Sequence, residues 1–225
     1  MVTRLSEDVW WVNLTGVNAF VLDDDGALTL VDAGLPWDAR RLRRAITSVG
    51  KSLSDVERVF VTHYDVDHVG SLDKLDDLDA TVYIGRDDEP YLTGRASPSL
   101  STQKGVFQRA VDWTYGTPSL PVEPVDDGDE IGSFTAYSAP GHTPGHTIYV
   151  SEALDVALLG DLVWERGGRF EVVPWFICHD HEQAKADVKS IVSRVPPFEV
   201  ACQGHGVPFV ENGYTRLREC VNSLA

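Results

Sequence analysis

Short apolar runs punctuated by Gly and Asp dominate the first part of the chain. Residues 9–14, 19–22 and 28–32 are each too short for a helix and are separated by turn-forming residues. They predict antiparallel strands. The period changes over residues 38–49. There Ala39, Leu42, Ile46 and Val49 recur at helical spacing, and Arg40, Arg41, Arg43 and Arg44 fall on the opposite, solvent face. Val59, Phe60, Val61 and Thr62 read as a buried strand. Residues 70–78, with Leu72, Leu75 and Leu78 at every third position, read as a helix, and residues 81–84 as another strand.

The β pattern resumes at residues 134–137, 147–150 and 156–159, and again at 199–202. A helix is predicted over 182–195, where Ala184, Val188, Ile191 and Val192 form one stripe and Asp180 with Gln183 resembles a capping box. Asn212 is the expected cap of a last helix that turns Tyr214, Leu217, Val221 and Leu224 inward. Strands then helix, repeated, suggest two related halves packed sheet against sheet.

Residues 86–124 are the least regular stretch, with Tyr91, Phe107, Trp113 and Tyr115 scattered among Pro, Gly and Ser. A long insertion of this kind is either functional or a packed elaboration of the surface. Pro174, Trp175, Phe176 and Ile177 read as an edge-strand or core patch, with a pocket wall as the second reading.

Charge narrows the partners. The 225 residues suffice for one domain, and 19 basic against 35 acidic residues give a net charge of −16. Asp outnumbers Glu 23 to 12, a balance that resembles proteins of salt-loving cytoplasms, whose acidic surfaces rely on screening. Nucleic-acid binders carry a basic patch. The arginines of residues 40–44 are the one basic cluster, and they are accounted for as a helix face, so nucleic acid is an unexpected partner. The runs Asp23-Asp24-Asp25, Asp76-Asp77 and Asp126-Asp127 are expected as solvated turns. The first eight residues lack the apolar core of a leader peptide, and no apolar stretch approaches membrane-spanning length. Cys178, Cys202 and Cys220 follow no paired spacing, with Cys202 expected as a buried thiol. Together these predict a cytoplasmic protein with no membrane partner.

The chemistry is concentrated at strand ends. His63-Tyr64-Asp65-Val66-Asp67-His68 places four potential metal ligands in six residues, directly after the run ending at Thr62. In an extended loop His63, Asp65 and Asp67 point one way and His68 another, so one short loop can feed two adjacent metal positions. Three later segments repeat the theme: Pro140-Gly141-His142-Thr143-Pro144-Gly145-His146, Leu158-Leu159-Gly160-Asp161 and Gln203-Gly204-His205-Gly206. Each sets a His or Asp beside Gly just past an apolar run, where a Gly lets the backbone approach a bound ion. There is no Gly-x-Ser-x-Gly elbow and no phosphate loop.

In order and spacing these segments resemble the metallo-β-lactamase superfamily over nearly the whole chain, and Val31-Asp32-Ala33-Gly34 resembles that family's first strand-end turn. The resemblance implies an α+β fold, a four-layer αββα sandwich, as one domain over residues 1–225 with a cap-like insertion around 86–124. It implies two metal positions. His63, Asp65 and His142 hold the first, Asp67, His68 and His205 the second, and Asp161 bridges them. The family hexapeptide has His where this chain has Asp65. That change adds a negative charge and shifts preference from zinc toward manganese or iron. The expected cofactors are two divalent metal ions, zinc foremost. Asp32 and Thr62 are candidates to orient metal-bound imidazoles. His146 is expected to pack behind the ligands, and His179 and His181 to be polar residues at a helix start.

Metal binding lowers the pKa of water toward 7 and supplies hydroxide at neutral pH, while Asp67 and Asp161 sit where it would be held. The expected activity is therefore a metal-dependent hydrolase that uses metal-bound hydroxide on a small ester, lactone or thioester, with a homodimer as the candidate assembly. A phosphodiesterase or RNase Z-like nuclease is the alternative. A di-iron redox enzyme and a non-catalytic scaffold follow behind.

Overall fold

The computed structural model describes residues 1–100 and 103–224. Seven strands form one sheet in chain order: β1 (Val2–Arg4), β2 (Val9–Asn13), β3 (Asn18–Asp24), β4 (Ala27–Val31), β5 (Val56–Val61), β6 (Thr81–Gly85) and β7 (Val122–Val125). Tight turns join the first four strands antiparallel. From β4 onward the pairing is parallel, so crossovers are needed, and α1 (Ala39–Ser48) makes the first of them. The short α2 (Val66–Val69) follows β5. Between β6 and β7 lie α3 (Glu89–Leu92) and α4 (Gln103–Val111).

The second sheet uses β8 (Glu130–Ile131), β9 (Phe134–Ser138), β10 (Thr147–Ser151) and β11 (Val156–Gly160). A hairpin of β12 (Val163–Arg166) and β13 (Arg169–Val172) stands beside it. The helix α5 (His181–Arg194) leads to β14 (Val200–Gln203), which pairs parallel with β11, and α6 (Gly213–Asn222) ends the chain.

The core explains the layering. Phe20, Phe60, Phe134, Tyr149 and Leu158 fill the space between the two sheets, with Phe60 and Tyr149 stacked 4.4 Å apart. Leu42 and Ile46 of α1 cover the outer face of the first sheet. Val188 and Ile191 of α5 and Leu217 of α6 cover that of the second. The result is the four-layer αββα sandwich. Central strands such as β11 are buried on both faces, which is why they read as unbroken apolar runs.

Parallel directions then bring the ligand loops together. The carboxyl ends of β5, β9, β11 and β14 emerge at one edge, and backbone bonds tie the two sheets there. Thr147 N donates to Thr62 O at 2.8 Å, and Asn18 N donates to Gly204 O at 2.7 Å.

Several local expectations are corrected. Residues 70–78 do not form an α-helix. They hold a short 3₁₀ turn, Leu72–Lys74, and Leu72, Leu75 and Leu78 are all buried although only the first lies in it. Asn212 does precede α6, but in a left-handed conformation with no side-chain cap bond. Asp180 caps α5 by accepting from Gln183 N at 3.0 Å. Asp24 is not a solvated turn residue: it is buried at the end of β3 and paired with Arg58 at 2.9 Å. Cys202 is buried as expected, and burial pushes its thiol pKa up.

Candidate metal centre

The loop after β5 is held before it is functional. Asp32, at the end of β4 with φ of 57°, accepts Thr62 N and Thr62 Oγ1, each at 2.9 Å. The same carboxylate lies 2.8 Å from His68 Nδ1, and Thr62 Oγ1 lies 3.0 Å from His63 Nδ1. Both rings are therefore anchored by their inner nitrogens and aim Nε2 at the edge of the sandwich. Asp88 ties this loop to the next one. It accepts Tyr64 N at 2.9 Å, Thr143 Oγ1 at 2.6 Å and Gly145 N at 2.8 Å, all while fully buried.

Six of the seven sequence-selected residues fall there in two sets: Asp67, His68 and His205 bring ligand atoms together, as do His63, His142 and Asp161. Asp65, the seventh, lies beside the second set. In the first of these sets His205 Nε2 lies 3.4 Å from both Asp67 Oδ2 and Asp161 Oδ2, and His68 Nε2 lies 3.6 Å from Asp161 Oδ1. Four donors about 2.1 Å from a tetrahedral ion stand about 3.4 Å apart, so the spacing suits a divalent ion. His68 Nε2 and Asp161 Oδ1 are buried and have no hydrogen-bond partner, a costly state that an ion would relieve. Gly204 is required beside them, because a Cβ there would meet Asp161 Oδ1 at 2.2 Å.

The other set is occupied differently. His142 Nε2 lies 3.2 Å from His63 Nε2, 3.0 Å from Asp65 Oδ2 and 3.7 Å from Asp161 Oδ2. Among them sits the Lys104 ammonium from α4, 2.8 Å from Asp65 Oδ2 and 2.8 Å from His142 Nε2. One turn on, Gln108 Nε2 donates to Asp65 Oδ1 at 2.6 Å and to Tyr64 O at 2.7 Å. Asp65 is thus engaged by two side chains of the 86–124 segment. Sequence reasoning missed both, along with Asp88 and Trp164, whose Nε1 donates to Asp161 Oδ2 at 2.8 Å. The extra negative charge at position 65 was the signal that a buried cation stands nearby.

Electrostatics follow this packing. Burial alone pushes the Asp65 carboxyl up, yet Lys104, with His63 and His142, outweighs it and holds it well below the usual range. Burial also opposes ionisation of Asp161, and His205, His68 and His142 overcome it. His68 is raised to about 9 and His205 to about 11, because Asp32, Asp67 and Asp161 outweigh the cost of burying their charge. His142 is lowered by burial and by Lys104. His146 is lowered to about 3 by burial and by His142, and its Nε2 accepts Asp161 N at 3.0 Å, which matches a packing role behind the ligands. His181 begins α5 as expected, and His179 lies near it, outside both donor sets.

A cavity of about 450 Å³ opens over the centre. Phe107, Trp164, Phe176 and Ile177 form its apolar wall, and Lys104 is its only Lys or Arg among the described residues. Residues 175–177 are therefore neither an edge strand nor core. They form a 3₁₀ turn, with Trp175 and Phe176 exposed and Phe176 and Ile177 at the pocket.

A family model described as the metallo-beta-lactamase superfamily matches residues 12–205, from β2 to the last strand-end histidine. The chain belongs to the metallo-beta-lactamase superfamily. It is a metallo-hydrolase of that superfamily, and similar proteins carry such names. The "Probable metallo-hydrolase YflN" of Bacillus subtilis is 26% identical, with 88% of this chain and 83% of that protein covered. A hydroxyacylglutathione hydrolase of Salmonella paratyphi A is 28% identical, covering 82% and 72%. A metallo-beta-lactamase family protein of Thermus thermophilus shares the fold, with a TM-score of 0.73 at 20% identity over 98% of this chain and 80% of that one. No helix among the described residues is long and apolar enough to cross a membrane.

Proposed function

We propose that this superfamily member hydrolyses a small ester, lactone or thioester. The observation that carries the reading is the pocket: about 450 Å³, walled by Phe107, Trp164, Phe176 and Ile177, and floored by the carboxylates and imidazoles of the centre. That volume fits a small molecule. The relative named hydroxyacylglutathione hydrolase acts, by that name, on an acylated glutathione, a small molecule, which supports the same class. A polymer-cleaving phosphodiesterase would need cations along its mouth, and the lining supplies only Lys104.

In this reading Asp67, His68, His205 and Asp161 would hold a divalent ion, zinc foremost, and His63, Asp65, His142 and Asp161 form a second donor set. Bound at the first set, the ion would supply a nucleophile from water and polarise a carbonyl oxygen. The remaining work falls to the protein. Asp161 is fixed by Trp164 and by the rings around it. Asp67, a quarter exposed at the pocket, is placed to take up a proton and return it to the leaving group. The apolar wall seats the acyl portion. Residues 86–124 act as a cap, through Lys104 and Phe107.

A panel of small esters, lactones and thioesters, assayed with protein before and after chelation, tests the reading. Turnover on one class, lost on chelation and restored by zinc or manganese, is expected. Turnover confined to phosphodiesters would replace it with the nuclease alternative.

A further inference from the structure

We propose that Lys104 is a built-in cation that takes the place of one of the two metal ions, so that this chain holds one transition-metal ion tightly, at Asp67, His68, His205 and Asp161. This rests on the metal-centre reading above and deepens it.

The first argument is lone-pair geometry. Lys104 Nζ, Asp65 Oδ2 and His142 Nε2 form a nearly equilateral triangle with sides of 2.8, 2.8 and 3.0 Å. Neutral imidazole has a single acceptor lone pair, in the plane of its ring. At 2.8 Å the ammonium uses the lone pair of His142 that a metal would need. Asp65 also accepts from the ammonium at Oδ2 and from Gln108 at Oδ1, which holds the carboxylate beside the lysine. His142 is not free for an ion while Lys104 stays in place.

The second argument is charge. Asp65, Asp67 and Asp161 bring three negative charges to the centre. The ammonium and one divalent ion together bring three positive ones, whereas two divalent ions beside Lys104 would exceed the carboxylates even with Asp32, behind His68, counted. A carboxylate at position 65 in place of the family histidine fits a lysine neighbour, which a neutral imidazole would not neutralise.

The third argument is that the lysine is built in. It is only 6% exposed, in a chain with five lysines. Gln108, one turn along α4, bonds the same carboxylate and the backbone of Tyr64, so the helix is docked at two points. Among the described residues no Lys or Arg enters the other donor set, and it contains the unpartnered His68 Nε2.

Cobalt is the probe. Full-length protein, stripped with a chelator and dialysed, is titrated with Co²⁺ and followed by visible absorption and elemental analysis. Wild type is expected to bind about one tight Co²⁺ per chain, and Lys104→Met about two. Two tight ions in wild type, or one in both proteins, would overturn the assignment of Lys104 while leaving the metal centre intact. No uptake by either protein would overturn the metal-centre reading as well. If Lys104→Met fails to fold, Lys104→Ala takes its place, and the wild-type count still decides: two tight ions refute the proposal.

Discussion

The Asp32 carboxylate lies 2.8 Å from His68 Nδ1, on the far side of the ring from the Nε2 that faces Asp161. This contact fixes the proton on Nδ1 and presents the Nε2 lone pair to the centre. Asp32→Asn keeps the size of the side chain and tolerates the left-handed backbone, but loses the charge. Co²⁺ affinity should fall by roughly 10- to 100-fold while the circular dichroism spectrum is retained. Unchanged affinity in the titration would remove Asp32 from the ligand-orienting role.

Asp67→Ala should lower kcat/KM by about 10²-fold or more, and His142→Ala by a smaller factor, because Lys104 then loses a partner at the centre. Asp67 is partly exposed, so its variant should unfold within about 1 kcal/mol of wild type. Full turnover by either variant on an identified substrate would show that the reaction runs elsewhere.

Gly204 has ordinary backbone angles, so its requirement is purely one of space. A methyl group there meets Asp161 Oδ1 at 2.2 Å and His68 Cε1 at 2.8 Å. Gly204→Ala should cost about 1–3 kcal/mol of stability and weaken Co²⁺ binding, because two ligands must move. A variant with wild-type melting temperature and wild-type affinity would contradict the packing.

Phe107 and Phe176 stand at the pocket with more than half of each side chain exposed. Truncating either to Ala should leave the melting temperature almost unchanged and raise KM by roughly 10-fold. A change confined to kcat would mean that neither seats the substrate.

Asp24 and Arg58 form an ion pair 2.9 Å long, with side chains only 7% and 11% exposed. Burial works against the Asp24 carboxylate, yet bonds from Ser133 and Arg58 lower its pKa overall. A lowered folded-state pKa contributes stability that is complete above the unfolded value of about 3.9. That contribution disappears as pH falls through the folded value. Asp24→Asn should therefore cost roughly 3 kcal/mol at pH 7, with the gap to wild type closing on acidification below about pH 4. Urea unfolding at several pH values measures this, and a gap independent of pH would refute it.

Nine strands, β2 to β6, β9 to β11 and β14, and the residues that converge at the centre were legible because both rest on local rules. A buried strand writes itself as a β-branched run, and a ligand loop as His, Asp and Gly just past that run. Leu72, Leu75 and Leu78 misled because a short 3₁₀ turn and the loop after it bury leucines as a helix would. Phe176 misled because an apolar pocket wall and a core strand have the same composition. Lys104 and Gln108 carried no motif at all. They reach the centre only through the way α4 docks, which is set by contacts some 40 residues away in sequence, with Tyr64 and Asp65.

That docking has an evolutionary corollary. Lys104, Phe107 and Gln108 share one short helix, where one residue corresponds to about 100° of rotation. Inserting or deleting a single residue inside the helix, between Lys104 and Phe107, would turn the lysine about 100° away from the face that carries Phe107 and Gln108. The pocket wall and the charge beside Asp65 would be separated in one event. Exchange of the whole segment, or of side chains on a fixed register, keeps them together.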